Sequence, residues 1–200
     1  VLTILCLIIT LLFTESLPAE EKLSGSIPSV FKRMIGICRH KSFMAFLLSM
    51  GMFSLPFMAY LAVSSYIFVE GFGLAGTTYS YLLTTNAVLG TVGMLILQRL
   101  TKGGSNKSMG VVVIILSLVS SLIMLSVGYL NPAVCFIGMT FCVVAAFAAR
   151  PYALAILMNQ FDGDTGSVSS VFNFTLVFIG CLGMAAATLP WPTYIIGLGI

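Results

Sequence analysis

Long uninterrupted apolar runs dominate the chain, and its charged residues fall almost wholly between them. Residues 43–69, 77–97, 109–130, 133–158 and 167–189 are each apolar over about the twenty residues that a helix needs to cross bilayer hydrocarbon. Barrel strands would be about half that length and would alternate apolar with polar positions. These runs are uniformly apolar, so the expected fold class is all-α and integral to a membrane. Partial runs flank the five full ones, at 1–13 and after residue 189. Because the chain begins at Val1 inside a run too short to span and ends at Ile200 inside another, it reads as a fragment.

The long polar stretch at 14–42 divides the chain into the end of one transmembrane helix (1–13), a central loop (14–42) and a half-bundle truncated in its last helix (43–200). Within the loop, Val30, Phe31, Met34, Ile35 and Cys38 recur at helical spacing opposite Lys32, Arg33 and Arg39, with Pro28 suited to a first turn. That pattern predicts a short helix on the membrane surface, its basic face toward lipid phosphates. If successive spans alternate, the loops 14–42, 98–108 and 159–166 share one side. They carry Lys22, Lys32, Arg33, Arg39, Lys41, Arg99, Lys102 and Lys107, while the opposite turns carry no Lys or Arg. By the positive-inside rule the basic side is cytoplasmic.

Composition changes the picture only by exclusion. The chain is 59% apolar and 8% charged, against roughly 45–50% and about 25% in soluble domains, and its mean hydropathy is +1.11. A net charge of +3 without a basic, aromatic-interleaved stripe gives no footprint for nucleic acid. Cys6, Cys135, Cys142 and Cys181 lie in apolar runs and Cys38 in the basic loop, with no spacing that predicts a metal site or a disulfide framework.

Candidate functional residues are polar groups held inside apolar helices. Ser49, Pro56, Tyr60 and Ser64 fall on one face of the first full span at whole-turn offsets, and Pro56 predicts a kink. Tyr79, Asn86, Gly90 and Gly93 share a face of the second span, and Ser169, Asn173 and Gly180 share one of the last. An amide facing lipid is costly, so Asn86 and Asn173 must point into the bundle, either at a substrate cavity or at a neighbouring helix. Arg150 lies well inside its span, where insertion costs about 2.5–3.5 kcal/mol at mid-membrane. Snorkelling, or pairing with Asp162 or Asp164 beyond the helix end, would reduce that cost, and a gating or substrate role is the alternative. Glu70, at the outer end of its helix, is either solvated or a charge-pair candidate. His40, the only histidine, sits in a basic loop and reads as solvated.

Taken in order, several segments resemble the C-terminal half of the Bcr/CflA (bicyclomycin-resistance) drug:proton antiporters of the major facilitator superfamily. Thr14-Glu15-Ser16-Leu17-Pro18 with Glu20 is similar to the acidic stretch after that family's sixth span. Tyr60 to Phe68 followed by Phe72-Gly73-Leu74 resembles its seventh span and outer turn. Asn86, Arg150-Pro151 and Gly166 to Ser170 resemble features of the eighth, tenth and eleventh. Two departures stand out. Ser65-Tyr66 replaces a Ser-Pro pair common in the seventh span, and 98–108 lacks the acidic residue of the superfamily's Asp-Arg-type motif.

The resemblance implies a major facilitator-type helical bundle, alternating access and export of small amphiphilic molecules against proton entry. It further implies no cofactor beyond the proton gradient, membrane lipids and a missing N-terminal half as partners, and the bacterial inner membrane as location. On this reading Tyr60, Ser64, Asn86 and Asn173 line the substrate cavity, Arg150 and Glu70 serve gating or charge pairing, and the fragment alone does not transport. An uptake carrier for a sugar, amino acid or organic acid is the alternative, since fold does not fix substrate. An intramembrane enzyme would need a convergent set of acids, bases or ligands. The spans hold no such set, and no catalytic residue is assigned. A membrane scaffold remains the third possibility. The orientation is directly testable: an impermeant maleimide added outside intact cells should leave Cys38 unlabelled, and rapid labelling would reverse the topology.

Overall fold

In hydrocarbon a backbone must satisfy its own hydrogen bonds, and the chain does so with helices. The computed structural model describes residues 2–12, 27–101, 106–160 and 165–199, and among these every regular element is helical. The order is α1 (Leu2–Leu12), α2 (Ile27–Cys38), α3 (Lys41–Gly51), α4 (Ser54–Ser65) continued by a π-helical turn (Tyr66–Gly71), α5 (Gly76–Leu100), α6 (Asn106–Ser126), α7 (Pro132–Met158), α8 (Thr165–Ala187) and α9 (Tyr194–Gly199). Five stretches are long and apolar enough to cross a membrane: Lys41–Gly71, Gly76–Leu100, Ser108–Ser126, Pro132–Met158 and Thr165–Ala187. Their outward faces expose Val88, Val92, Ile96, Leu118, Leu122, Phe174 and Phe178, a surface suited to lipid tails. The protein is an all-α integral membrane protein.

The expected spans hold in place and in type, with one correction of detail. The first span is not one kinked helix: it breaks at Met52 and Phe53, between α3 and α4. Pro56 then falls in the first turn of α4, where its missing N–H costs nothing, and Met52 O accepts from Leu55 N at 3.2 Å instead. The break shifts the helical phase. Ser49 therefore leaves the Tyr60 stripe, is exposed, and bonds its own helix at Ala45 O, 2.7 Å away. At the other end the π-helical turn closes with Phe72 N bonding Ile67 O at 3.0 Å, and Gly73, at φ 69°, takes the left-handed conformation that leads out of the span.

Three close helix contacts organise the bundle: α8 lies along α4, and α7 is flanked by α5 and α6. Small residues permit the α4–α8 and α5–α7 contacts. A Cβ at Gly183 would collide with the carbonyl oxygen of Leu55, and one at Gly180 would sit 2.7 Å from Met58 Cγ. On α5, a Cβ at Gly90 or Gly93 would meet Val143 or Val144 of α7 at 2.6 or 2.7 Å. Ser54 Oγ donates to Leu176 O at 2.9 Å and Ser120 Oγ to Gly138 O at 2.7 Å, adding polar links across α4–α8 and α6–α7. The start of α7 is set by Asn131, whose side chain accepts from Ala133 N at 2.8 Å, and by Pro132 in the first turn.

A helix forms over Ile27–Cys38, but of the expected apolar stripe only Met34 rests on the core beside α8, together with Ile37, which lies outside that stripe and is buried; Val30, Phe31, Ile35 and Cys38 are exposed, as are Lys32 and Arg39. The segment 13–26, with Glu15, Ser16, Leu17, Pro18, Glu20 and Lys22, lies outside the described residues, as do Lys102, Asp162 and Asp164.

The close approach of α8 to α4 can be probed by adding one methyl group. Gly183→Ala should destabilise the protein by about 1–3 kcal/mol, the usual cost of overpacking. Gly36→Ala, on α2 where nothing lies within 4 Å of a new Cβ, should be neutral or stabilising by up to about 1 kcal/mol through helix propensity. Thermal unfolding followed by fluorescence-detected size exclusion compares the two.

Candidate functional site

The candidate polar side chains fall into two centres and one outlying position. The first centre lies between α4 and α5. Tyr60 and Ser64, one turn apart on α4, meet Asn86 and Tyr79, two turns apart on α5. Asn86 Nδ2 donates to Tyr60 Oη at 3.0 Å, and the Ser64 and Tyr79 hydroxyls lie 2.9 Å apart. Tyr60, Ser64 and Asn86 are all buried, at 3%, 0% and 1% exposure. The Asn86 amide is only half satisfied: its Oδ1 is buried with no partner among the described residues. Turning the amide over would give Tyr60 the oxygen and strand the nitrogen, so one end stays unmatched either way, at about 1–3 kcal/mol. Behind Tyr60, a small cavity of about 50 Å³ is lined by Ser117, Ser120, Ser121 and Cys142.

The second centre joins α7 to α8. Arg150 donates from Nη2 to Asn173 Oδ1 at 2.9 Å, and Asn173 Nδ2 donates in turn to Ser169 O at 2.8 Å, with Ser169 Oγ at 3.3 Å. That anchoring points the Asn173 oxygen at the guanidinium. Arg150 is exposed on the wall of a 440 Å³ cavity formed by α3, α4, α5, α7 and α8. The remaining lining is almost wholly apolar, with Phe53, Phe57, Met58, Met94, Phe147 and Leu176 prominent. Pro151, inside α7, has no N–H to give the carbonyl of Phe147, so a backbone acceptor is released beside the same cavity. Phe57 and Phe147 meet edge to face, centroids 5.5 Å apart, at this wall.

Glu70 stands apart. It is exposed in the π-helical turn and lines a separate 490 Å³ cavity with Tyr66, Tyr129, Trp191 and Tyr194. Glu70 and Arg150 are thus not brought together; the partner of Arg150 among the described residues is Asn173, and Asp162 and Asp164, the partners expected for it, lie outside those residues. Among the predicted cavity residues, Tyr60, Ser64 and Asn86 come together, while Asn173 belongs to the Arg150 centre. His40 is exposed. Among the described residues no group of three or more His, Cys, Asp and Glu is placed to hold a metal. The aromatic and methionine walls of the large cavity escaped the sequence reading, because an apolar residue facing a cavity and one facing lipid look the same in a uniformly apolar run. The signal that could have found them was Arg150-Pro151, a charge and a helix breaker side by side within a span.

The fold thus holds a mostly apolar cavity among α3, α4, α5, α7 and α8 of a five-span membrane bundle. Over 183 residues the chain is 22% identical to the uncharacterised MFS-type transporter YdgK of Bacillus subtilis (strain 168), a match that takes in 90% of this chain and 45% of that protein. The chain therefore spans less than half the length of this curated relative. No protein-family model and no solved structure matches it.

The Tyr60–Asn86 rung is open to a double-mutant cycle. Tyr60→Phe should destabilise by about 1 kcal/mol by leaving the whole Asn86 amide without a partner. Adding Asn86→Leu should recover part of that loss, so the two effects fail to add. Reversible unfolding in mixed detergent micelles gives the coupling; strict additivity would dissolve the rung.

Proposed function

We propose that this chain is one half-bundle of a secondary transporter that exports small amphiphilic molecules by proton antiport, of the Bcr/CflA kind, in a bacterial cytoplasmic membrane. The observation that carries the reading is the 440 Å³ cavity among membrane-crossing helices, walled by aromatic and methionine side chains with a single cation. Its size falls in the usual range of small-molecule sites, about 300–1,000 Å³. Polarizable, unbranched methionine and aromatic rings accommodate varied apolar shapes, which suits an amphiphile better than a sugar. The similarity to an MFS-type transporter supports the same reading. Carriers of this general design place substrate between two repeats, and rocking one against the other alternates access. The second repeat, and with it half the cavity wall, is assigned to the remainder of the carrier. Glu70 is the only carboxylate in the five spans and sits at a helix end, so the proton-coupling acid is assigned there too. The basic loop with α2 is placed on the cytoplasmic side, its exposed apolar residues entering the lipid interface.

In this mechanism Asn86 offers its unmatched amide end to substrate or to cavity water once the helices part. In the transporter that carries this chain, Asn86→Ala should alter the profile of resistance to several drugs more than it alters the amount of folded protein. Losing an interhelical bond in a membrane costs only about 0.6 kcal/mol on average. Resistance normalised to membrane protein level makes the comparison. Unchanged normalised resistance to every compound, with a marked fall in folded protein, would assign Asn86 to structure. Everted vesicles energised by an acid interior provide the test of coupling: amphiphile uptake should collapse on adding an uncoupler.

A further inference from the structure

Arg150 presents a charge problem that the described fold does not solve. Its guanidinium has five N–H donors and a fixed positive charge. Its partner among the described residues is one neutral oxygen, that of Asn173, and no described carboxylate lies within ion-pair distance. The position is not a helix end. Arg150 lies roughly 12 Å short of Met158 along α7, at the helical rise of about 1.5 Å per residue. Asn173, held by Ser169, keeps the guanidinium on the cavity wall and leaves most of its donors free to turn inward. The rest of the cavity wall is apolar apart from Ser54, with Phe53, Phe57, Met58, Met94 and Phe147 prominent. A fixed cation beside a low-dielectric wall attracts a partner that brings one negative charge and an apolar body.

From this geometry we propose that the cavity is an organic-anion site: Arg150 receives the carboxylate of an amphiphilic monoanion in a two-pronged hydrogen bond, and the aromatic and methionine walls take its apolar part. Asn173 is a positioning residue that orients Arg150 and does not touch the ligand. The inference rests on the transporter reading and narrows its substrate class. It also gives the Asn173 contact a purpose: an amide orients the guanidinium without neutralising it.

The test uses three probes of nearly equal shape that differ in headgroup: 4-phenylbutyrate, 4-phenylbutyramide and 4-phenylbutylamine. Their binding to the transporter in lipid nanodiscs is measured by calorimetry, with protein-free nanodiscs subtracted. The carboxylate should bind at least about tenfold more tightly than the amide or the amine. Arg150→Gln should abolish that preference. Arg150→Lys should retain the preference while weakening carboxylate binding, because a point charge replaces a fork. Asn173→Ala should weaken carboxylate binding and spare amide binding. Equal binding of the three probes by the unmutated protein, or preference for the amine, overturns the proposal, whatever becomes of the variants. So does an Arg150→Gln protein that keeps the preference. Counterflow of the same probes separates this outcome from the fate of the transporter reading. Flux of the amine without anion preference leaves a transporter and removes the anion site. Anion preference without flux of any probe leaves the site and removes transport.

Discussion

The fold depends on how closely two backbones can approach where α8 crosses α4. Lipid tails are as apolar as leucine, so burying leucine between helices provides little drive for association in a membrane; contact quality must do so. Gly183 and Gly180 bring α8 against Leu55 and Met58 of α4, and Gly90 and Gly93 bring α5 against Val143 and Val144 of α7. With α8 held this close to α4, Ser54 Oγ reaches Leu176 O. A wider spacing would leave that hydroxyl facing hydrocarbon alone.

The two polar centres solve one physical problem in different ways. An amide or hydroxyl in hydrocarbon needs a partner, and Tyr60 with Asn86, and Ser64 with Tyr79, meet that need across α4 and α5. The match is one donor short of complete, since the Asn86 oxygen remains unpaired. At Arg150 the shortfall among the described residues is one of charge. Both deficits are of the kind a bound molecule or water can make good, and neither occurs on the lipid-facing side. Phe57, next to Phe147, lies one turn before Tyr60 on α4, so the apolar cavity and the tyrosine rung follow one another along the same helix.

Legibility in the sequence followed the physics of each feature. The spans were readable because hydrocarbon thickness and backbone satisfaction leave few choices: the runs 133–158 and 167–189 became Pro132–Met158 and Thr165–Ala187. Helix faces were readable from period alone wherever a helix ran unbroken, hence Tyr79, Asn86 and Gly90 along α5. The period failed at Ser49, because the irregular Met52–Phe53 step resets the phase and Pro56 marks a helix start instead of a mid-helix kink. Partners across helices were not readable. Arg150 bonds Asn173 across α7 and α8, a partnership fixed by inter-helix register, which a single chain's periodicity does not encode.

Those irregularities have a common location. Phe53, at the break between α3 and α4, and Pro151, within α7, both line the 440 Å³ cavity. Non-helical backbone at membrane depth is tolerated only where protein covers it or where it borders a cavity that admits water or ligand. The first break is repaired locally, Met52 O accepting from Leu55 N, whereas Pro151 leaves the Phe147 carbonyl without its helical donor. A released acceptor and the Arg150 cation therefore stand within one turn of each other on α7. Together they give an otherwise apolar chamber a polar wall with both signs of hydrogen-bonding capacity. On the proposed reading, concentrating the α3–α4 break, Pro151 and the Arg150 charge around one space is what separates a binding chamber from a packing gap.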